Sequence, residues 1–265
     1  MVNKKTAFFV SASSDIAMSI SANLIKDGWK IYGTYNRGNK KLFDLYEKKN
    51  LIKLDLNNKN YEKELVKFIK KIDKITLFSC FSGSQLPCGP FLNLKKKDII
   101  NSFNINLIQP AFILKILKQK FYNNSKIIFF TGGGPNKATK NYLPYSLSKF
   151  SLIKFIELLA EENNNFYFAC INPGWVNTKA HKKIITNKIF KKSSDHKRLK
   201  SKIKNNSWVD VKKTIDFFYW FLKIKNRKFS GRYFVVDYDN FCYREFVKKF
   251  DQNDNFLKMR RVEFD

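Results

Sequence analysis

The amino-acid sequence predicts an α/β protein built on one parallel, doubly wound sheet of about seven strands with helices on both faces. Two observations carry this. Short runs rich in β-branched and aromatic residues alternate with longer stretches whose apolar residues recur at helical spacing, the pattern of βαβ units. No Pro/Gly/Ser-rich linker and no internal repeat divides the 265 residues, a length that one α/β domain can fill. Residues 1–265 are therefore read as a single domain.

Ala7–Val10 is the first expected strand, and Met18–Lys26 lies in the helix after it, which stops at Asp27-Gly28 where glycine suits a helix C-terminus. Further strands are expected at Lys30–Tyr35, Leu51–Leu54, Ile75–Cys80, Lys126–Phe130, Phe166–Ile171 and Phe234–Val236. Between them the spacing predicts helices over Asn60–Lys71, Ile99–Lys118, Tyr145–Glu162 and Val209–Lys223. Only Lys179–Asn206 breaks the rhythm. It holds eleven cationic residues, no Gly and no Pro, with few large apolar anchors, and it is expected to be a poorly anchored lid over a site.

Composition excludes several function classes. The 4 Cys (Cys80, Cys88, Cys170, Cys242) form no CxxC or CxxH spacing, so neither a metal site nor a disulfide framework is expected, and reduced thiols in a cytoplasmic protein fit best. The apolar run after Lys4-Lys5 ends at Ser11, too short for a leader, and no later run reaches 18 uninterrupted apolar residues. A membrane role is not expected. The net charge of +29 raises the question of nucleic acid, but the cations are overwhelmingly Lys and travel with Asn, Ile and Phe, as an AT-rich coding genome would produce. Without a zinc finger or basic zipper, nucleic-acid binding is disfavoured.

The strongest chemical signal is Tyr145-Ser146-Leu147-Ser148-Lys149, which places a phenol and an ammonium on one helical face. A nearby ammonium stabilises phenolate and is expected to bring the phenol toward working pH as a general acid. YxxxK alone is weak; its company strengthens it. Fourteen residues before Tyr145, a strand runs into Thr131-Gly132-Gly133-Gly134. Another strand runs into Asn172-Pro173-Gly174-Trp175-Val176-Asn177-Thr178, and Asn106 lies within an expected helix, where a polar side chain needs a reason. These groups fall at strand C-terminal ends or on adjacent helices, where open α/β sheets bind ligands.

The order of these motifs, across nearly the whole chain, resembles the short-chain dehydrogenase/reductase family, whose domain is of the Rossmann type. The resemblance implies that Tyr145 exchanges a proton with substrate and that Lys149 holds the cofactor ribose and tunes Tyr145. It likewise implies that Thr131 orients the carbonyl, that Asn106 supports a water relay, and that Pro173, Gly174, Val176 and Thr178 meet the nicotinamide end.

The family's TGxxxGxG turn is matched here by Ser11-Ala12-Ser13-Ser14-Asp15-Ile16-Ala17, with all three glycines replaced. Ser11, Ser13, Ser14 and Ile16 become the implied pyrophosphate contacts, because small residues and backbone N–H groups remain at the helix start. Asp15 is expected to cap a helix N-terminus rather than face a phosphate. Ser82 and Gly83 stand for the family's NNAG segment beside the adenosine. Asp55 is the implied adenine neighbour, or else a turn cap. Strand two ends in Tyr35-Asn36-Arg37 without an acid, which favours NADP(H) over NAD(H), with Arg37 on the 2′-phosphate.

The expected function is hydride transfer between nicotinamide and a small carbonyl or alcohol substrate. The cationic lid suits an anionic one, such as a phosphorylated or nucleotide-linked sugar. Family members commonly pair through helices corresponding to Ile99–Lys118 and Tyr145–Glu162, so a homodimer or homotetramer is expected. Two other readings stand beside this one. The missing glycines fit a Rossmann-like binding or regulatory protein without turnover, and the Lys surplus fits a binder of anionic surfaces or nucleic acid.

Overall fold

A computed structural model describes residues 5–58, 60–132, 138–191 and 193–261. Seven parallel strands form one sheet in the order β3-β2-β1-β4-β5-β6-β7. They are β1 (Thr6–Val10), β2 (Lys30–Tyr35), β3 (Leu51–Lys53), β4 (Ile75–Cys80), β5 (Phe121–Phe130), β6 (Tyr167–Asn172) and β7 (Arg232–Val235). The chain winds outward from β1 to β3, then returns to lay β4 against the other side of β1. That reversal opens a crevice beyond the C-terminal ends of β1 and β4, where such sheets bind ligands.

Strand alternation sorts β1 between two cores. Ala7 and Phe9 join one cluster, while Phe8 and Val10 join the other. The first face is covered by α1 (Asp15–Lys26), α2 (Lys40–Leu45), α9 (Val211–Lys223) and α10 (Arg244–Gln252), which contribute Leu24, Leu42, Phe217 and Phe250 among others. The second is covered by α3 (Tyr61–Ile69), α5 (Gln109–Leu117) and α6 (Leu143–Glu162), through Leu65, Ile113 and Ile153. Helices α2 and α10 were not expected. α2 is a short segment of 6 residues whose Leu42 alone is buried, too little to set a period. α10 buries only Phe246 and Phe250 beneath charged neighbours.

The turn after β1 keeps its conformation without glycine. Ser11 adopts φ 60°, the left-handed region, and Ser14 caps α1 by accepting from Ala17 N at 3.1 Å. The small residue has moved to the neighbouring strand: a Cβ on Gly33 would lie 2.8 Å from both Ala12 Cβ and Phe9 O. Helix α4 (Lys96–Phe103) passes through a π turn, Asn104–Ile108, into α5. The stretch Lys96–Lys120 is long and apolar enough to cross a membrane by length and composition, which uninterrupted apolar runs did not reveal. In the fold, Ile113 and Leu117 on one of its faces belong to the core.

The lid segment is partly anchored. Residues 179–206 form α7 (Lys179–Thr186) and α8 (Ser194–Lys204), and they carry a small core of their own. Ile184, Phe190 and Leu199 are buried with Tyr142, while Trp175 and Trp208 pack against them. The anchors are few, but they converge on aromatic groups supplied by other segments.

Candidate active site

The C-terminal ends of β1, β4, β5 and β6, with the lid above, enclose a cleft of about 1100 Å³. Among the expected residues, Ser13, Ser14, Ile16, Arg37, Ser82, Gly83, Thr131, Tyr145, Lys149, Pro173, Gly174 and Thr178 line it. Ser11, Asn106, Val176 and Asp55 do not. Ser11 shapes the turn beneath. Val176 is buried in a bridge to Val209 and gives its carbonyl to His181 Nδ1 at 2.6 Å. Asp55 is an exposed turn residue whose carboxylate accepts from Asn57 N at 3.0 Å.

Asn106 acts from behind the wall. The π turn sets its side chain against Ser84, accepting from Ser84 N at 2.8 Å and donating to Ser84 O at 3.0 Å and Ser102 Oγ at 3.2 Å. Ser82 Oγ donates to Ile105 O at 3.2 Å within the same turn, so the irregular helix and the loop after β4 hold one another. Asn106 is fully buried, and this network satisfies it.

Tyr145 and Lys149 share the cleft wall but not a hydrogen bond. Lys149 Nζ donates to Ser82 O at 2.8 Å and Phe130 O at 2.9 Å, which ties the ends of β4 and β5 together. The expected lowering of the phenol by Lys149 is therefore not what the geometry delivers. Burial pushes the Tyr145 phenol well above its ordinary range, and the nearby Asp195 carboxylate pushes it further. Burial also draws the Lys149 ammonium down. Tyr145 thus holds its proton at neutral pH.

Thr131 also has a partner within the protein. Its Oγ1 donates to Lys149 O at 3.1 Å, so its single proton is spent on α6. Toward a substrate carbonyl, which needs donors, Thr131 offers only acceptor lone pairs in this arrangement. The residue beside the phenol is Gly132. Gly133 and Gly134 lie outside the described residues.

Several lining residues escaped the sequence reading. Asp195 and His181 come from the lid, where no motif marks them, and they stand beside Arg198 and Lys202 of its cationic set. Burial raises the Asp195 carboxyl despite the opposing pull of Arg198. His181 stacks on Trp175 with ring centroids 5.0 Å apart, and burial lowers it toward the neutral form. Its bond to the Val176 carbonyl requires a proton on Nδ1, which leaves Nε2 as an acceptor. Among the described residues, no group of three or more His, Cys, Asp or Glu is placed to hold a metal ion.

A family model described as enoyl-(acyl carrier protein) reductase matches residues 10–238. The chain belongs to the short-chain dehydrogenase/reductase family. Its structure is similar to a member from Saccharomyces cerevisiae, with a TM-score of 0.78 at 20% identity, covering 91% of this chain and 99% of that one. It is also similar to an actinorhodin polyketide ketoreductase solved with NADPH, with a TM-score of 0.71 at 17% identity over 88% of this chain and 96% of that one. A 4-hydroxyisoleucine dehydrogenase complexed with NADH gives a TM-score of 0.71 at 19% identity, covering 87% and 96%. No curated protein sequence matches. Family membership makes the chain an NAD(P)(H)-type oxidoreductase. The cleft fits a dinucleotide in having backbone N–H groups at the α1 start and a cation, Arg37, at the end of β2. Asp15, within the cleft wall, is the point of friction.

Proposed function

We propose that the chain reduces a carbonyl group on an anionic small molecule at the expense of NADPH. The observation that carries this reading is the Tyr145 phenol on the wall of a cleft at the sheet's C-terminal edge, with Lys149 one turn away. A bound reduced nicotinamide would supply hydride to the carbonyl carbon. Tyr145 gives its phenol proton to the carbonyl oxygen, and Lys149 holds the loop after β4. Asn106 fixes Ser84 and thereby the rim beside Gly83.

Arg37 lines the cleft next to Gly38 and Asn39, with no acid at the end of β2, and this supports NADP(H) over NAD(H). Lys179, Lys183, Arg198 and Lys202 face the same cleft from the lid, which supports a phosphorylated or nucleotide-linked sugar as substrate. Added salt should then raise KM for such a substrate, since exposed charges are screened over about 8 Å at physiological ionic strength.

A cytoplasmic homodimer or homotetramer completes the reading. Exposed Ile100, Ile108 and Phe112 lie along α4, the π turn and α5, and Leu147, Phe150 and Leu158 lie on the adjoining α6, offering an apolar face to a second copy. Leu147→Glu should shift the sedimentation coefficient toward a monomer. The decisive experiment is NADPH titration by fluorescence together with turnover of wild type and Tyr145→Phe. The variant should lose about a hundredfold or more in kcat with NADPH affinity retained, the scale of a lost general acid. Equal turnover of the two proteins sinks the mechanism. A second reading, a Rossmann-like binding or regulatory protein without turnover, is favoured by the replacement of the glycines after β1 by Ser11, Asp15 and Ala17. Binding without turnover across anionic carbonyl compounds would select it.

A further inference from the structure

Asp15 is the first residue of α1 and part of the cleft wall. Its carboxylate does not cap α1, because Ser14 already does so. It reaches across to the lid instead. Oδ2 accepts from Lys179 N at 2.6 Å, and Oδ1 lies 3.3 Å from Lys179 Nζ. Lys179 opens α7, whose N-cap Thr178 accepts from His181 N, so Asp15 takes a helix-start N–H that Thr178 leaves unpaired. Residues far apart in sequence thus join the two walls of the cleft where α1 begins.

The start of α1 is also where a dinucleotide's phosphates are drawn, since unpaired N–H groups and the helix dipole both favour an anion there. The Asp15 carboxylate opposes a second anion at that place. It also holds the Lys179 ammonium, a cation of the cleft wall beside the start of α1. Asp15 keeps 26% of its side-chain surface exposed, so it has a path to water if the pair separates.

We propose that Asp15 and Lys179 form a charge strap that closes the cleft between α1 and the lid, and that nucleotide entry opens it, which makes Asp15 the residue that sets cofactor affinity. This rests on the reading of a nicotinamide dinucleotide as cofactor. On entry, Lys179 passes from the carboxylate to the phosphates and Asp15 turns to solvent. The lid thereby senses the cofactor before substrate binds.

The test titrates wild type, Asp15→Asn, Asp15→Gly and Lys179→Met with NADPH and with NADH. In parallel, hydrogen exchange of amides 178–186 is measured without nucleotide. Both Asp15 variants should tighten NADPH at least about tenfold, Lys179→Met should weaken it, and Asp15→Gly should speed exchange in α7. Asp15 variants that bind within twofold of wild type, or more weakly, overturn the strap. If none of the four proteins binds either nucleotide, the cofactor reading fails and exchange alone judges the strap. Faster exchange in Asp15→Gly then sustains it, and unchanged exchange overturns it.

Discussion

Gly132 presents a bare Cα to the Tyr145 phenol. A Cβ at position 132 would collide with Tyr145 Oη and stand 3.3 Å from Cζ and 3.5 Å from Cε1. The observed position of the candidate acid depends on the missing side chain. Gly132→Ala should therefore displace the phenol and lower kcat by at least about tenfold, a loss typical of misplaced proton transfer. The melting temperature should move little, because the phenol is the flexible end of the contact. Unchanged kcat would mean that Tyr145 has room to shift without cost to the reaction.

Asp195 is a lid carboxylate whose charge bears on a phenol of α6. It raises the Tyr145 phenol, and removing that charge should lower it. In the alcohol-oxidising direction Tyr145 must lose its proton first, so activity rises with pH through the phenol's titration. Asp195→Asn should move that rise to lower pH. A pH–kcat/KM profile identical to wild type would separate Asp195 from Tyr145 energetically.

Arg37 lines the cleft at the end of β2 with no acid beside it. Arg37→Asp exchanges a charge-assisted partner for a repulsive one and should weaken NADPH by roughly 2–3 kcal/mol, while NADH changes much less. Titration of both nucleotides checks this. Parallel losses would place the role of Arg37 in the fold rather than in recognition.

Lys126 sits midway along β5, only 4% exposed, with its ammonium 3.3 Å from the centre of the Tyr167 ring. Burial and the neighbouring Arg227 pull its pKa from 10.5 down to about 7. Below that value the folded chain carries an unfavourable buried charge. Between pH 7 and 10.5 the unfolded chain binds this proton and the folded chain does not, so stability from this residue grows as pH rises. Relative to Lys126→Met, wild type should gain on the order of 1 kcal/mol per pH unit in that window. Denaturant unfolding at pH 6.5 and 9 measures the difference, and a pH-independent gap would disprove the assignment.

The sequence by itself determined the sheet, its parallel winding and the company of Tyr145, Lys149 and the Pro173-Gly174 segment. These are local properties, because period-2 and period-3.6 patterns and turn residues act over a few positions. Asn106 was legible too, as a polar residue that a helix would not otherwise hold. What tertiary structure alone decided is where each polar group finds its partner. Thr131 spends its proton on α6, Lys149 binds the carbonyls of two strand ends, and Asp15 crosses to Lys179 instead of capping its own helix. Burial makes these choices, because a polar atom removed from water must take the nearest partner the fold supplies, however distant in sequence.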